Sequence, residues 1–179
     1  FHLAGDASGS YLRGNGIHHS NNRCIVLHGV FNAELEGNVC VDNRGHNLYL
    51  EDGIEVGNAV VGNLVVNPRS SATICTDKIG AEGGAAGIWI TNPNNTFTDN
   101  AVVGAAFGAW FTFPTVDDSH PFTGEKRGQL GGVFGASAAY FRDPLSGYGP
   151  AHWVVQQEQT RTPVAAFHRN TFKDSARMG

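Results

Sequence analysis

Leu12-Arg13-Gly14-Asn15, Leu35-Glu36-Gly37-Asn38, Val60-Val61-Gly62-Asn63 and Phe97-Thr98-Asp99-Asn100 are four copies of one short pattern, and Phe167-His168-Arg169-Asn170 is a weaker fifth. Each asparagine is followed by a short run: Gly16-Ile17-His18, Val39-Cys40-Val41, Leu64-Val65-Val66, Ala101-Val102-Val103 and Thr171-Phe172-Lys173. The asparagines stand 23, 25, 37 and 70 residues apart. A further series, Ile25-Val26-Leu27, Leu48-Tyr49-Leu50, Ile88-Trp89-Ile90 and Ala109-Trp110-Phe111, completes each repeat. Short β-rich runs separated by glycine and asparagine, two or three per 23 to 25 residues, describe one coil of a parallel β-helix. The Leu-x-x-Leu-x-Leu framework of a leucine-rich repeat is absent, and so many glycines exclude helical repeats. Coils stacked at roughly 4.8 Å turn equivalent residues into ladders. Asn15, Asn38, Asn63 and Asn100 are therefore expected to form an internal ladder whose amides bond neighbouring coils and satisfy buried turn backbone.

The composition agrees. With 179 residues the chain can bury one core, and its 24 glycines and 15 asparagines favour many short elements over long helices. Twelve basic against sixteen acidic residues, net charge −4, exclude a general nucleic-acid backbone binder. No stretch approaches the ~20 apolar residues of a membrane-spanning helix. Cys24, Cys40 and Cys75 form no CxxC pair, which leaves either one bridge and a free thiol or three buried small side chains.

The irregular steps predict the organisation. Residues 1–113 are read as coils with an insertion at about 68–86, residues 114–163 as a long loop, and 164–179 as the start of a further coil. The solenoid is expected to be incomplete at both ends and to have flanking domains in a longer chain. Loops of that length in compact domains are usually functional or disordered.

Gapless alignment of the coils sets His19 beside Asp42, Arg23 beside His46 and His28 beside Glu51, with Gly29 beside Asp52. Strand alternation puts Ile25, Leu48, Ile88 and Ala109, with Leu27, Leu50, Ile90 and Phe111, on the inner face. Tyr49, Trp89 and Trp110 then form an aromatic strip on the outer face, suited to sugar rings, with Glu51, Asp52, Thr91, Asn92 and Thr112 as polar partners. The alternative is that these rings point inward or pack beneath the 114–163 segment. Paired carboxylates perform glycoside hydrolysis, which makes Glu51 and Asp52 the candidate catalytic residues. Arg23, His28 and His46, with Tyr49, Trp89 and Trp110, are the candidates for substrate binding, and His19 and Asp42 for support. Histidines among carboxylates could hold a divalent cation, although no HExxH spacing occurs.

The segments Phe1-His2-Leu3-Ala4-Gly5-Asp6, Ile17-His18-His19-Ser20, Arg23-Cys24, His28-Gly29, Gly45-His46, Glu51-Asp52-Gly53 and Asn92-Pro93-Asn94-Asn95 occur in one order. They resemble the β-helix region of the CEMIP hyaluronidase family and, more distantly, fibrocystin-like proteins. The resemblance implies a right-handed parallel β-helix of the pectate-lyase-like kind, at the cell surface or outside the cell. It also implies a polysaccharide partner, hyaluronan or a related glycan, and for some members a calcium requirement. What it carries over is a glycan-handling role rather than catalytic residues. Hyaluronidase-like hydrolysis is the leading expectation. A non-catalytic glycan-binding or cell-surface structural module is the second, and a polysaccharide lyase the third.

Overall fold

The computed structural model describes residues 2–51, 55–71, 84–111, 116–117, 127–128 and 165–176. Every regular element among them is a strand, and none is a helix. With strands numbered along the chain, one parallel sheet contains β1 (His2–Asp6), β4 (Ile25–Phe31), β7 (Leu48–Leu50), β10 (Ala86–Ile90) and β13 (Phe107–Phe111). A second contains β2 (Tyr11–Arg13), β5 (Glu34–Glu36), β8 (Ala59–Val61), β11 (Thr96–Thr98) and β16 (Ala166–His168). The third contains β3 (Gly16–His18), β6 (Val39–Val41), β9 (Leu64–Val66), β12 (Ala101–Val103) and β17 (Thr171–Lys173). Each coil contributes one strand to each sheet, so the chain is a parallel β-helix. Two further strands, β14 (Val116–Asp117) and β15 (Arg127–Gly128), pair antiparallel.

Register follows the repeat residue for residue. Leu12, Leu35, Val60, Phe97 and Phe167 form one column, and Ile17, Cys40, Val65, Val102 and Phe172 another. Ile25, Leu48, Ile88 and Ala109 form a third. These columns fill the interior, where Leu35, Cys40, Val60, Val65, Ile88, Phe97 and Val102 are all buried. Burial of each such side chain contributes roughly 1.5–3 kcal/mol.

The expected asparagine ladder is present. Asn15 Nδ2 donates to Asn38 Oδ1 (2.9 Å), and the same contact repeats from Asn38 to Asn63, Asn63 to Asn100 and Asn100 to Asn170, each at 3.0 Å. Each acceptor oxygen also takes the backbone N–H of the asparagine one coil away. The residue before each asparagine turns the corner in the left-handed region: Gly14, Gly37, Gly62, Asp99 and Arg169, φ between 56° and 67°. Glycine meets that requirement without strain. In the last two coils Asp99 and Arg169 take the position instead, and the Arg169 guanidinium donates to both Asp99 oxygens at 2.6 Å.

Two further devices brace the coils. Asn58 and Asn95 make a second ladder at the preceding corner, between the first and second sheets, with Asn58 Nδ2 donating to Asn95 Oδ1 (3.0 Å) and Ala33 N–H to Asn58 Oδ1 (2.9 Å). Cys24 and Cys40 are joined by a disulfide, which leaves Cys75 as the third cysteine, outside the described residues. Most of 68–86 and 114–163 also lies outside them; strands resume at Ala86 and Ala166.

Candidate functional site on the first sheet

The three sheets differ on their outer faces. In β5, β6, β8, β9 and β12 of the second and third sheets only the central residue is buried, whereas β7 and β10 are buried throughout. A strand buried on both faces needs apolar side chains on both, and the first sheet has them. Val26, Tyr49, Trp89 and Trp110 are register partners along its outer face, and with Ala86 and Phe107 they make a second apolar cluster separate from the interior.

The ladder of rings was therefore correctly aligned, but it is not an exposed strip. Tyr49 is 4% exposed and Trp89 2%, and only Trp110 is half-buried. The physical reason is that strand alternation decides which face a side chain takes, not whether that face is covered.

Two polar groups flank the ring column. On one side His46 stacks against Trp89 (centroids 4.2 Å) and lies parallel to Tyr49 at 5.8 Å. Its Nδ1 accepts the Ala86 N–H at 3.0 Å, which leaves the ring proton on Nε2. Burial, and secondarily the charge of Arg23, push its pKa down to about 3, so the ring is neutral. Arg23, paired with His46 in the coil alignment, lays its guanidinium over the Tyr49 ring at 3.7 Å. Such contacts contribute about 0.5–2 kcal/mol and fix the cation in place. His46 is thus a packed, uncharged wall of the cluster, and Arg23 is its charged rim.

On the other side His28 and Glu51 come together, Nδ1 to Oε2 3.4 Å, with side chains 13% and 26% exposed. His28 is two residues from Val26 on β4, and Glu51 two from Tyr49 just past β7, so both project outward beside the rings. The backbone of His2 in β1 pairs in register with that of His28. Thr91, two residues past Trp89, donates its hydroxyl to Leu50 O at 3.2 Å. Asp52 and Thr112 lie outside the described residues.

His19 and Asp42 meet as expected, Nε2 to Oδ2 3.8 Å, but at a corner after the third sheet and away from the rings. Both are in the left-handed region, as is Asn67 one coil further, whose amide donates to Asp42. His18 Nδ1 lies 2.9 Å from His19 Nδ1. This group is a turn ladder rather than part of the outer-face cluster.

Glu55 is a buried carboxylate that sequence analysis passed over. It is 0% exposed, and its Oε1 accepts the Gly29 N–H at 2.9 Å. Gly29 has φ 60° and immediately follows His28, in a strand whose pairing with β1 shifts register. No repeat of Glu55 exists in the other coils, so periodicity had no signal for it. Among the described residues no three His, Cys, Asp or Glu side chains converge in a metal-binding arrangement. A calcium cage needs six to eight oxygens, and the described donors do not fit one. No helix among them is long and apolar enough to cross a membrane.

With the geometry in hand, comparison with known proteins is specific. Over 123 residues the chain is 37% identical to human fibrocystin-L, covering 68% of this chain and 3% of that protein. It is 31% identical over 150 residues to the human cell surface hyaluronidase CEMIP2, covering 66% of this chain and 11% of that protein. It is 33% identical over 130 residues to communication mutant protein F of Dictyostelium discoideum, covering 65% of this chain and 12% of that protein. The chain thus spans only a small part of each of these relatives. A family profile described as CEMIP beta-helix matches residues 1–179, and the chain belongs to that family.

Proposed function

We propose that this chain is a polysaccharide-handling unit of an extracellular or cell-surface protein. Its ligand on this reading is hyaluronan or a related uronic-acid glycan, and its chemistry the hydrolysis of a glycosidic bond. The observation that carries the proposal is the His28–Glu51 pair, 3.4 Å apart and partly open to solvent, beside the apolar ring column on the outer face of the first sheet. Membership of a family that includes a cell surface hyaluronidase supports it.

In this mechanism Glu51 is the acid that protonates the leaving oxygen as the anomeric carbon–oxygen bond breaks or, ionised, either attacks the anomeric carbon or takes a proton from the water that does. Asp52, the next residue, is the second carboxylate that such chemistry requires. His28, in contact with Glu51, accepts or returns a proton between the two steps. Arg23, with its guanidinium 3.7 Å from the Tyr49 ring centre, brings a fixed positive charge to meet a uronate carboxylate. Trp110, half-buried at the end of the outer-face column, presents ring surface to sugar C–H faces, while Tyr49, Trp89 and His46 back it.

The test is to incubate the full-length protein with hyaluronan of defined length, with and without a chelator, and to size the product. The wild type shortens the polymer, and Glu51→Gln, which keeps the shape and removes the ionisable proton, does not. Polymer of unchanged length under every condition removes the hydrolase proposal. An ultraviolet-absorbing unsaturated product would instead mark a lyase.

One observation favours a second proposal, a non-catalytic glycan-binding or surface module: the two central rings are fully packed and serve stability. Likeness to fibrocystin-L is compatible with it. It predicts retention of hyaluronan without shortening.

A further inference from the structure

The corner between β10 and β11 contains three asparagines in four residues, Asn92, Asn94 and Asn95, followed by Thr96. The fold accounts for two of them. Asn95 is buried in the second ladder: its Oδ1 accepts from Asn58, and its Nδ2 donates to Glu55 O (2.7 Å) and Asn92 O (3.0 Å). Asn92 is also buried, and its Oδ1 accepts the Asn94 N–H at 2.9 Å, which closes the turn. Asn94 itself is exposed, and the fold uses only its backbone, whose carbonyl accepts the Gly57 N–H at 2.8 Å. The residue beside it in the coil stack is therefore Gly57, which has no side chain to meet it. Thr96 opens β11 on the outer face of the second sheet, aligned with Ala59 and Ala166, and is half-buried.

We infer that Asn94 is an acceptor for an N-linked oligosaccharide. Asn94-Asn95-Thr96 is an Asn-x-Thr acceptor triplet, and its asparagine is the member of the cluster that the fold leaves open. A second, independent observation places the chain in the right compartment. The Cys24–Cys40 disulfide requires an oxidising environment, the route on which such oligosaccharides are added. The relatives described above are proteins of eukaryotes. In the transfer, the Asn94 side-chain nitrogen forms a bond to the anomeric carbon of a lipid-linked oligosaccharide diphosphate. The carbon–oxygen bond to the diphosphate breaks, the lipid diphosphate leaves, and the amide proton passes to base. The added chain would project from the corner between the first and second sheets, and no hydrogen bond of the ladder would be lost to make room for it.

The inference is independent of any glycan-handling activity and is tested separately. The full-length protein is recovered from its natural host or from a eukaryotic secretory host, digested with peptide N-glycosidase in heavy-oxygen water, and mapped by mass spectrometry. Conversion of Asn94 to heavy-labelled aspartate is expected. Asn94→Gln and Thr96→Ala abolish the label, and Thr96→Ser retains it. Secreted protein with the disulfide formed and Asn94 unmodified overturns the inference, as does a label that survives Thr96→Ala.

Discussion

The asparagine ladder makes a quantitative prediction through Asn63→Ala. Asn63 is 1% exposed, and its Oδ1 accepts both the Asn38 N–H (2.9 Å) and Asn38 Nδ2 (3.0 Å). Its Nδ2 donates to Leu35 O (2.9 Å) and Asn100 Oδ1 (3.0 Å). After truncation Asn38 Nδ2 still has Leu12 O, and Asn100 Oδ1 still has the Asn63 backbone N–H. The Asn38 N–H loses its acceptor and Leu35 O loses that donor. Leu35 lies in β5, whose parallel ladder with β8 still serves its carbonyl, so the cost rests on the one buried N–H left without an acceptor, and the variant should lose about 1–3 kcal/mol. That is a large share of the ~5–15 kcal/mol that holds a typical protein folded. Asn15→Ala is the control. Asn15 is exposed and accepts nothing from a neighbouring coil through its side chain, so the loss should stay below about 1 kcal/mol. Urea unfolding followed by circular dichroism measures both. Equal losses for the two variants would refute the claim that satisfaction of buried amides, rather than local turn preference, maintains the corner.

Other consequences follow from the same structure. A Cβ at Gly87 would run into Val102 Cγ1 and come within 2.9 Å of Gly108 O, so Gly87→Ala should cost about 1–3 kcal/mol or prevent folding. At Gly14, φ 67°, nothing lies within 4 Å, and Gly14→Ala should cost only the left-handed penalty of about 1 kcal/mol. His46 has its folded pKa depressed to about 3, below the ~6.5 of an unfolded chain, so the unfolded state takes up its proton first as pH falls. Its contribution to stability is complete above pH ~6.5 and declines by about 1.4 kcal/mol per pH unit toward pH 3. His46→Gln, which can still accept the Ala86 N–H, should flatten that slope in denaturant titrations at several pH values. Trp89→Ala should cost about 3–5 kcal/mol by opening the outer-face cluster. An unchanged unfolding midpoint, with only glycan retention lost, would restore the exposed-platform role.

The parallel coils were legible because each carries its own copy of a buried, compulsory hydrogen bond, which no other residue type reproduces as economically as asparagine. The outer-face pairings of His28 with Glu51 and of Tyr49 with Trp89 were legible for the same reason, since stacking turns repeat spacing into contact. The same 37-residue step that separates Asn63 from Asn100 also separates Asn58 from Asn95 and would have located the second ladder. The burial of Tyr49 and Trp89 was not legible, since it comes from His46 and Arg23, corner residues that fold over the rings and follow no strand alternation. The Cys24–Cys40 pairing was equally hidden: a residue at a corner and one inside β6 share no repeat position. Glu55 occurs once, so periodicity carried no information about it.

The histidine rings test the placement of the site most directly, for the sheets carry different reporters: His28 on the outer face of the first, His168 on the second and His18 on the third. Histidine-labelled protein titrated with hyaluronan oligosaccharides and followed by ring-proton NMR should shift the His28 resonances and leave those of His168 and His18 in place. Shifts at His168 or His18 with His28 unmoved would contradict the assignment of the glycan to the first sheet.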